Sequence, residues 1–119
     1  LSIIQERKKI DYADNIETVL GTMRDPNLPA GAVDLAFIVD AYHEFSHPFE
    51  MGQAIYAALK SGGQLVLIEY RAEDSSVPIK ALHKMTEAQA RKEMQAVGFR
   101  WEETKNFLPQ QHFMVFTKP

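Results

Sequence analysis

Two nearly continuous apolar segments do most to restrict the fold of this chain. Residues 33–39 read VDLAFIV, and residues 64–70 are apolar through their middle. Short runs of this kind are typical of strands in a parallel sheet that is covered on both faces. Between them, residues 48–60 repeat apolar side chains at spacings of three and four and stop before Gly62 and Gly63, which indicates a helix. Strand, helix and strand in this order predict a parallel βαβ unit and therefore an α/β fold.

Shorter patterns predict the remaining elements. Thr86 and Gln89 fit a capping box at the start of a helix, and Gly98 would end it. Two segments rich in aromatic and β-branched residues flank Pro109 and indicate a closing antiparallel hairpin. The predicted helices are residues 1–10, 48–60 and 86–97, and the predicted strands are residues 15–20, 33–39, 64–70, 99–107 and 111–117.

Composition excludes several classes of protein. A length of 119 residues with 45% hydrophobic content fits one small domain with a real core and excludes a disordered tail. The absence of cysteine excludes a disulfide framework and a thiolate metal site. A net charge of −3 offers no basic surface for nucleic acid. With no signal peptide and no long apolar run, we expect a cytoplasmic protein that does not associate with membranes.

The stretch HEFSH, from His43 to His47, matches the H-E-x-x-H pattern of zinc proteases. In that pattern two histidines on one helix bind zinc and the glutamate activates water. Here Pro48 disfavours helical angles at His47, and a continuous helix would bring its ring against the carbonyl of Glu44. A zinc metallohydrolase is therefore the less favoured interpretation, and no metal site is predicted.

Four motifs in a fixed order carry a resemblance to a known family. Gly21-Thr22 follows a predicted strand, LPAGAVD at residues 28–34 leads into the next strand, DAYH at residues 40–43 follows it, and LKSGGQL spans residues 59–65. The chain resembles the small-molecule type of class I S-adenosylmethionine-dependent methyltransferases over nearly its whole length. The resemblance implies a Rossmann-like sheet, S-adenosylmethionine as cofactor and a small-molecule methyl acceptor.

The resemblance also implies which residues contact the cofactor. Thr22 and Met23 correspond to the family's acidic residue at the adenine amino group and to its neighbour, which packs against the ring. Val39 and Asp40 correspond to the strand end that borders the sulfonium. Thr22 departs from the pattern, since a hydroxyl replaces the carboxylate acceptor. Met23 and Val39 also fit ordinary core positions, because buried Met and Val are common.

His43 and Glu44 are the candidate catalytic residues. They follow the carboxyl end of a predicted strand, where open α/β sheets bind ligands, and an imidazole can remove a proton from a hydroxyl or amine near neutral pH. The alternative is that His43 only lines the pocket while catalysis proceeds by alignment of the reactants. At the end of the next strand, Glu69, Tyr70 and Arg71 are candidates for acceptor binding. His83, in the following loop, could also line the acceptor site, although a solvated loop position is the favoured interpretation.

The resemblance predicts that part of the family's domain is missing. Leu1 opens the sequence within a helical pattern that lacks a capping residue, and no glycine-rich nucleotide loop occurs. Residues 1–119 are therefore expected to be a partial methyltransferase domain, a C-terminal half that alone binds S-adenosylmethionine weakly or not at all. A non-catalytic partner or assembly module with a degenerate methyltransferase fold is the alternative.

The missing strands would leave one edge of the sheet open. In the family's strand order, the segment at residues 15–20 loses its neighbours, and the strand at residues 33–39 gains a free, apolar edge. An exposed edge of this kind pairs readily with another strand. We therefore expect residues 15–20 to pair with residues 33–39, or two chains to form a homodimer across that edge.

Overall fold

The computed structural model describes residues 1–119 and centres on one mixed β-sheet with helices packed on one face. Two short 3-10 turns lie at Tyr42–Glu44 and Ala81–His83. The helices are α1 (Ser2–Ile10), α2 (Pro48–Ala58) and α3 (Glu87–Val97), and the strands are β1 (Val33–Val39), β2 (Leu59–Arg71), β3 (Lys84–Met85), β4 (Arg100–Lys105) and β5 (Gln111–Thr117). No helix is long and apolar enough to cross a lipid bilayer.

The sheet runs in the order β1-β2-β5-β4, and β3 pairs with the end of β2. Strands β1 and β2 are parallel, and Val39 lies opposite Ile68 at their carboxyl ends. Strand β5 pairs antiparallel with both β2 and β4. The predicted α/β class with parallel strands and a closing antiparallel hairpin is confirmed.

Strand β2 begins earlier than the sequence predicts. Helix α2 ends at Ala58, because Leu59 is already extended at φ −74° and ψ 143°. Gly62 has φ +81°, a left-handed conformation that favours glycine, and its N–H donates to the carbonyl of Lys118 at 2.7 Å. Gly62 and Gly63, which the sequence placed between the helix and the second strand, thus lie in an irregular start of β2 that is paired with the end of the chain.

The core lies between this sheet and helices α2 and α3. Leu65 and Leu67 point from β2 to the helices and are fully buried, as are Met114 and Phe116 of β5. Met94 of α3 packs against them. Burial of an aliphatic or aromatic side chain of this size contributes about 1.5–3 kcal/mol, so this single cluster provides most of the apolar stabilisation.

The opposite face of the sheet is open along β1. Leu35, Phe37 and Val39 are 54%, 69% and 47% exposed, whereas Ala36 and Ile38 pack against the core. The prediction that this strand is covered on both faces is therefore wrong for this chain. Side chains alternate along a strand, and no element of the chain packs against the outward set.

The predicted strand at residues 15–20 is absent, and so is its predicted pairing with β1. Residues 11–32 contain no strand, and α1 buries no residue. A β-branched segment becomes a strand only when another backbone accepts and donates its hydrogen bonds. Strand β1 keeps one unpaired edge, and the homodimer across that edge stays a prediction.

Candidate active site

The site lies where β1 and β2 end side by side. Because these strands are parallel, the residues that follow β1 lie beside the last residues of β2. The chain turns sharply at Asp40, which has φ +52°, and continues into the 3-10 turn Tyr42–Glu44. That turn brings His43 next to Glu69 of β2.

Glu69 and His43 form a buried pair. One Glu69 oxygen accepts the backbone N–H of His43 at 2.9 Å, and the other lies 2.8 Å from Nδ1 of its ring. Glu69 is fully buried, and the His43 side chain is 7% exposed. An ionised carboxylate only accepts hydrogen bonds, so this network assigns the proton of neutral His43 to Nδ1 and leaves a lone pair on Nε2. Glu69 lies near the end of β2 as predicted, but it is fully buried and has no exposed surface with which to contact an acceptor.

The Nε2 atom of His43 faces two polar side chains at the rim of the site. Nδ1 of His83 lies 3.2 Å from it, and a Glu44 oxygen lies 3.7 Å from it. The same Glu44 oxygen is 3.6 Å from Nδ1 of His83. Glu44 and His83 are exposed, and His83 arrives from the second 3-10 turn. The sequence named His83 as a residue that could line the acceptor site, but its loop pattern does not show that His83 lies beside His43.

Tyr42 closes the inner side of the site as a hydrogen-bond donor. Its hydroxyl donates to Glu93 of α3 at 2.7 Å. Burial, reinforced by the bond to Glu93, raises the pKa of Tyr42 above its ordinary value. Tyr42 therefore stays protonated and is no proton acceptor. With His43, Phe45 and Leu82 it lines an open pocket of about 310 Å³.

Asp40 and Arg71 are held by Gln111, the first residue of β5, and Arg71 also by the loop before that strand. Both Asp40 oxygens accept hydrogen bonds from the Gln111 amide, at 2.9 and 2.7 Å. The Arg71 guanidinium donates to the carbonyls of Leu108 and Gln111 at 2.8 and 3.3 Å. Gln111 is a site residue that the sequence did not indicate, since nothing local places β5 beside the end of β2. The predicted binding roles of Asp40, Tyr70 and Arg71 stay predictions.

Thr22 and Met23 lie on an exposed turn at the margin of the site. The Thr22 hydroxyl oxygen accepts the backbone N–H groups of Arg24 and Asp25 at 3.2 and 3.1 Å, so it stabilises its own turn. Met23 is 70% exposed, and its sulfur lies 3.6 Å from the hydroxyl of Ser46. The structure thus brings Met23 beside the loop after His43. The predicted cofactor contacts of Thr22, Met23 and Val39 stay predictions.

The HEFSH stretch does not form the helix that a zinc protease needs. The 3-10 turn ends at Glu44, Phe45 is extended at φ −65° and ψ 126°, and His47 precedes α2 at φ −130° and ψ 67°. Pro48 is the first residue of α2, as its sequence context predicts. His43 and His47 are therefore not on one helical face.

Comparison with known proteins gives one family and a consistent fold. The family model described as a methyltransferase domain matches residues 2–67. No curated protein sequence matches the chain. The structure is similar to a S-adenosylmethionine (SAM)-dependent methyltransferase from Aquifex aeolicus, with a TM-score of 0.87, 16% identity and 97% of this chain covered.

Two further solved structures share the fold. A putative type 11 methyltransferase from Sulfolobus solfataricus has a TM-score of 0.73 and 17% identity over 93% of this chain. PigF, solved with S-adenosylhomocysteine (SAH), has a TM-score of 0.78 and 19% identity over 99% of this chain. The chain spans 61% of the Aquifex structure, 63% of the Sulfolobus structure and 40% of PigF. At these identities the likeness concerns the fold.

Proposed function

The chain belongs to the methyltransferase domain family, and we propose that the protein carrying it is a SAM-dependent methyltransferase in which His43 is the general base. The observation that carries this proposal is the buried Glu69–His43 pair at the carboxyl ends of β1 and β2. Support for the cofactor comes from the family match and from PigF, whose structure contains SAH.

His43 and Glu69 provide the proton chemistry of this reaction. When bound, the cofactor supplies an electrophilic methyl group on a sulfonium. Nε2 of His43 would take the proton that the acceptor oxygen or nitrogen loses as this atom replaces the sulfur on the methyl carbon, the sulfur leaving with the bonding electron pair as a neutral thioether. The imidazolium that forms is stabilised by the Glu69 carboxylate, 2.8 Å from Nδ1. Glu69 is thus a positioning residue that fixes the tautomer of the base.

The residues at the margin fit a cofactor in part. Met23 and Val39 are 70% and 47% exposed and offer apolar surface to an aromatic ring such as adenine. Thr22 offers no carboxylate, and its hydroxyl oxygen is engaged within its own turn. We therefore assign Met23 and Val39 to packing against the cofactor and Asp40 to the border of the reacting centre.

The pocket beside His43 supports a small acceptor. Its volume of about 310 Å³ lies at the lower end of the range for small-molecule sites, about 300–1,000 Å³. Phe45 and Leu82 supply apolar walls, and His43 lies among them with Lys84 and with Glu93, whose carboxylate accepts the Tyr42 hydroxyl. An apolar molecule with one ionisable hydroxyl or amine fits this lining.

Replacement of His43 tests the proposal in the complete protein that carries this chain. His43→Ala should lower kcat by about 10²-fold or more, with little change in cofactor affinity, because proton removal is lost while binding surfaces remain. His47→Ala is the matched control, since His47 lies outside the Glu69 pair. A His43→Ala enzyme that keeps its kcat and shows only a raised KM would remove the base from the mechanism.

A further inference from the structure

Three side chains with metal-ligating atoms converge above the Glu69–His43 pair. Nε2 of His43, Nδ1 of His83 and one carboxylate oxygen of Glu44 are separated by 3.2, 3.6 and 3.7 Å. They come from the two 3-10 turns, which are far apart in sequence and adjacent in space. We call these three residues the His43–Glu44–His83 cluster.

The spacing of the cluster matches that of ligands around a small divalent cation. Two ligands at about 2.05 Å from zinc with a tetrahedral angle between them are about 3.3 Å apart. The three measured separations lie close to this value. Glu44 and His83 are exposed, and the His83 ring contacts that of His43 edge-on at a centroid distance of 5.2 Å, so small side-chain rotations are enough to bring all three atoms to bonding distance.

Glu69 prepares His43 to be a ligand. A histidine that binds a metal through one ring nitrogen usually donates its other N–H to a carboxylate, which fixes the tautomer and raises the basicity of the ligand. Nδ1 of His43 has this partner at 2.8 Å, and the carboxylate is fully buried. With the ring proton on Nδ1, the lone pair on Nε2 faces Glu44 and His83.

We propose that the His43–Glu44–His83 cluster binds one divalent first-row transition metal ion, and we take Zn²⁺ as the ion for the test. Two imidazoles and one carboxylate suit Zn²⁺ better than Mg²⁺, which prefers oxygen ligands in octahedral geometry. Three protein ligands leave one coordination position open. The site replaces His47 of the HEFSH pattern with His83, a residue forty positions away from His43 along the chain.

The metal site is a function separate from methyl transfer, and an occupied site would affect the rate of that transfer. A metal ion on Nε2 of His43 takes the lone pair that the proposed base needs. Metal binding and proton removal therefore exclude each other at this atom, and the metal inhibits transfer. Binding itself requires neither cofactor nor acceptor, so the two proposals are tested separately.

Calorimetric titration of untagged protein with zinc chloride, without cofactor, tests the site. We expect one Zn²⁺ per chain and no binding of Mg²⁺ under the same conditions. His83→Ala and Glu44→Gln should each weaken zinc binding by at least about tenfold, and both residues are exposed, so the fold is unaffected. Glu69→Gln should weaken it by about 10–100-fold through His43.

His47→Ala is the matched control and should bind zinc like the unmodified protein. Stoichiometric zinc that survives His83→Ala, or that is lost on His47→Ala, overturns the proposed ligand set. Failure to bind zinc at micromolar concentration overturns the site itself. If the unmodified protein binds zinc and His43→Ala leaves the methyl transfer rate unaltered, the metal site stands and only the role of His43 as the base is refuted.

Discussion

Glu69→Gln is the sharpest test of how the active site is built. The substitution preserves shape and replaces one carboxylate oxygen by an amide NH₂ group. The backbone N–H of His43 can only donate, so it keeps the remaining oxygen, and the NH₂ group then faces Nδ1. Nδ1 must become an acceptor, and the ring proton of neutral His43 moves to Nε2. The lone pair that served as the base is thereby turned inward.

The size of the effect follows from these two hydrogen bonds. Loss of a general base lowers rates by about 10²–10⁴-fold, and the analogous tautomer change in a serine protease triad costs about 10⁴-fold. This range corresponds to about 3–5 kcal/mol in the activation free energy. Folding stability should fall by about 3 kcal/mol at most, because one charge-assisted hydrogen bond is lost while a charge no longer needs to be buried.

Steady-state kinetics and nitrogen-15 NMR of the histidine rings measure the two halves of this prediction. The kinetics should show a lower kcat with little change in cofactor affinity. The NMR spectrum should show the His43 proton on Nδ1 in the unmodified protein and on Nε2 in the Glu69→Gln variant.

Glu73→Gln is the matched control for Glu69→Gln. It alters a carboxylate that lies 2.9 Å from a ring nitrogen of another histidine, His112, and that hydrogen-bonds to neither His43 nor Glu69. Its kcat should therefore be unchanged. A Glu69→Gln variant with an unaltered His43 tautomer and full kcat would refute the assigned role of Glu69.

The lowered pKa of Glu73 predicts that the protein loses stability in acid. Although burial opposes the shift, hydrogen bonds from the Glu87 backbone N–H and from His112 hold the pKa of Glu73 below its ordinary value of 4.5. The stability that ionised Glu73 contributes is present above pH 4.5 and is lost as pH falls through the lowered pKa. Over that pH range the Tm of Glu73→Gln should therefore decline less steeply than the Tm of the unmodified protein. Equal slopes of Tm against pH in the two proteins would contradict this prediction. Leu67 is fully buried, so Leu67→Ala should lower the free energy of unfolding in urea by about 2–5 kcal/mol. Leu35 is 54% exposed, so Leu35→Ala should lower it by less than about 1 kcal/mol. Similar losses in the two variants would show that the core is placed wrongly.

Sequence patterns predicted the elements that local chemistry decides. Strands β1 and β5 occupy the predicted ranges, and α3 begins after Thr86, whose hydroxyl accepts the Gln89 N–H at 3.1 Å. Residues 15–20 have the composition of a strand and form none, because a strand also needs a neighbouring backbone. The early start of β2 depends on its pairing with Lys118, which no local pattern reveals.

For the candidate site, the sequence predicted individual residues but not the contacts between them. His43 stood out because it follows an apolar segment predicted to be a strand, and the structure places it just after the carboxyl end of β1. The position of Glu69 under His43 depends on the register between β1 and β2, and those of His83 and Gln111 depend on how distant loops return to the sheet. These are tertiary relations, so the sequence identified the residues without showing which of them touch.

Strand β2 hydrogen-bonds to β1, β3 and β5, and the backbone bonds of residues 74–83 are local turns. In native-state hydrogen exchange, the amides of β2 should therefore open only with global unfolding, while the His83 segment opens in cheaper, local events. Glu69 thus belongs to the slowest cooperative unit, His43 is linked to it through the Glu69 carboxylate, and His83 belongs to a faster unit. A ligand held by both histidines would join the two units and slow exchange across residues 74–83.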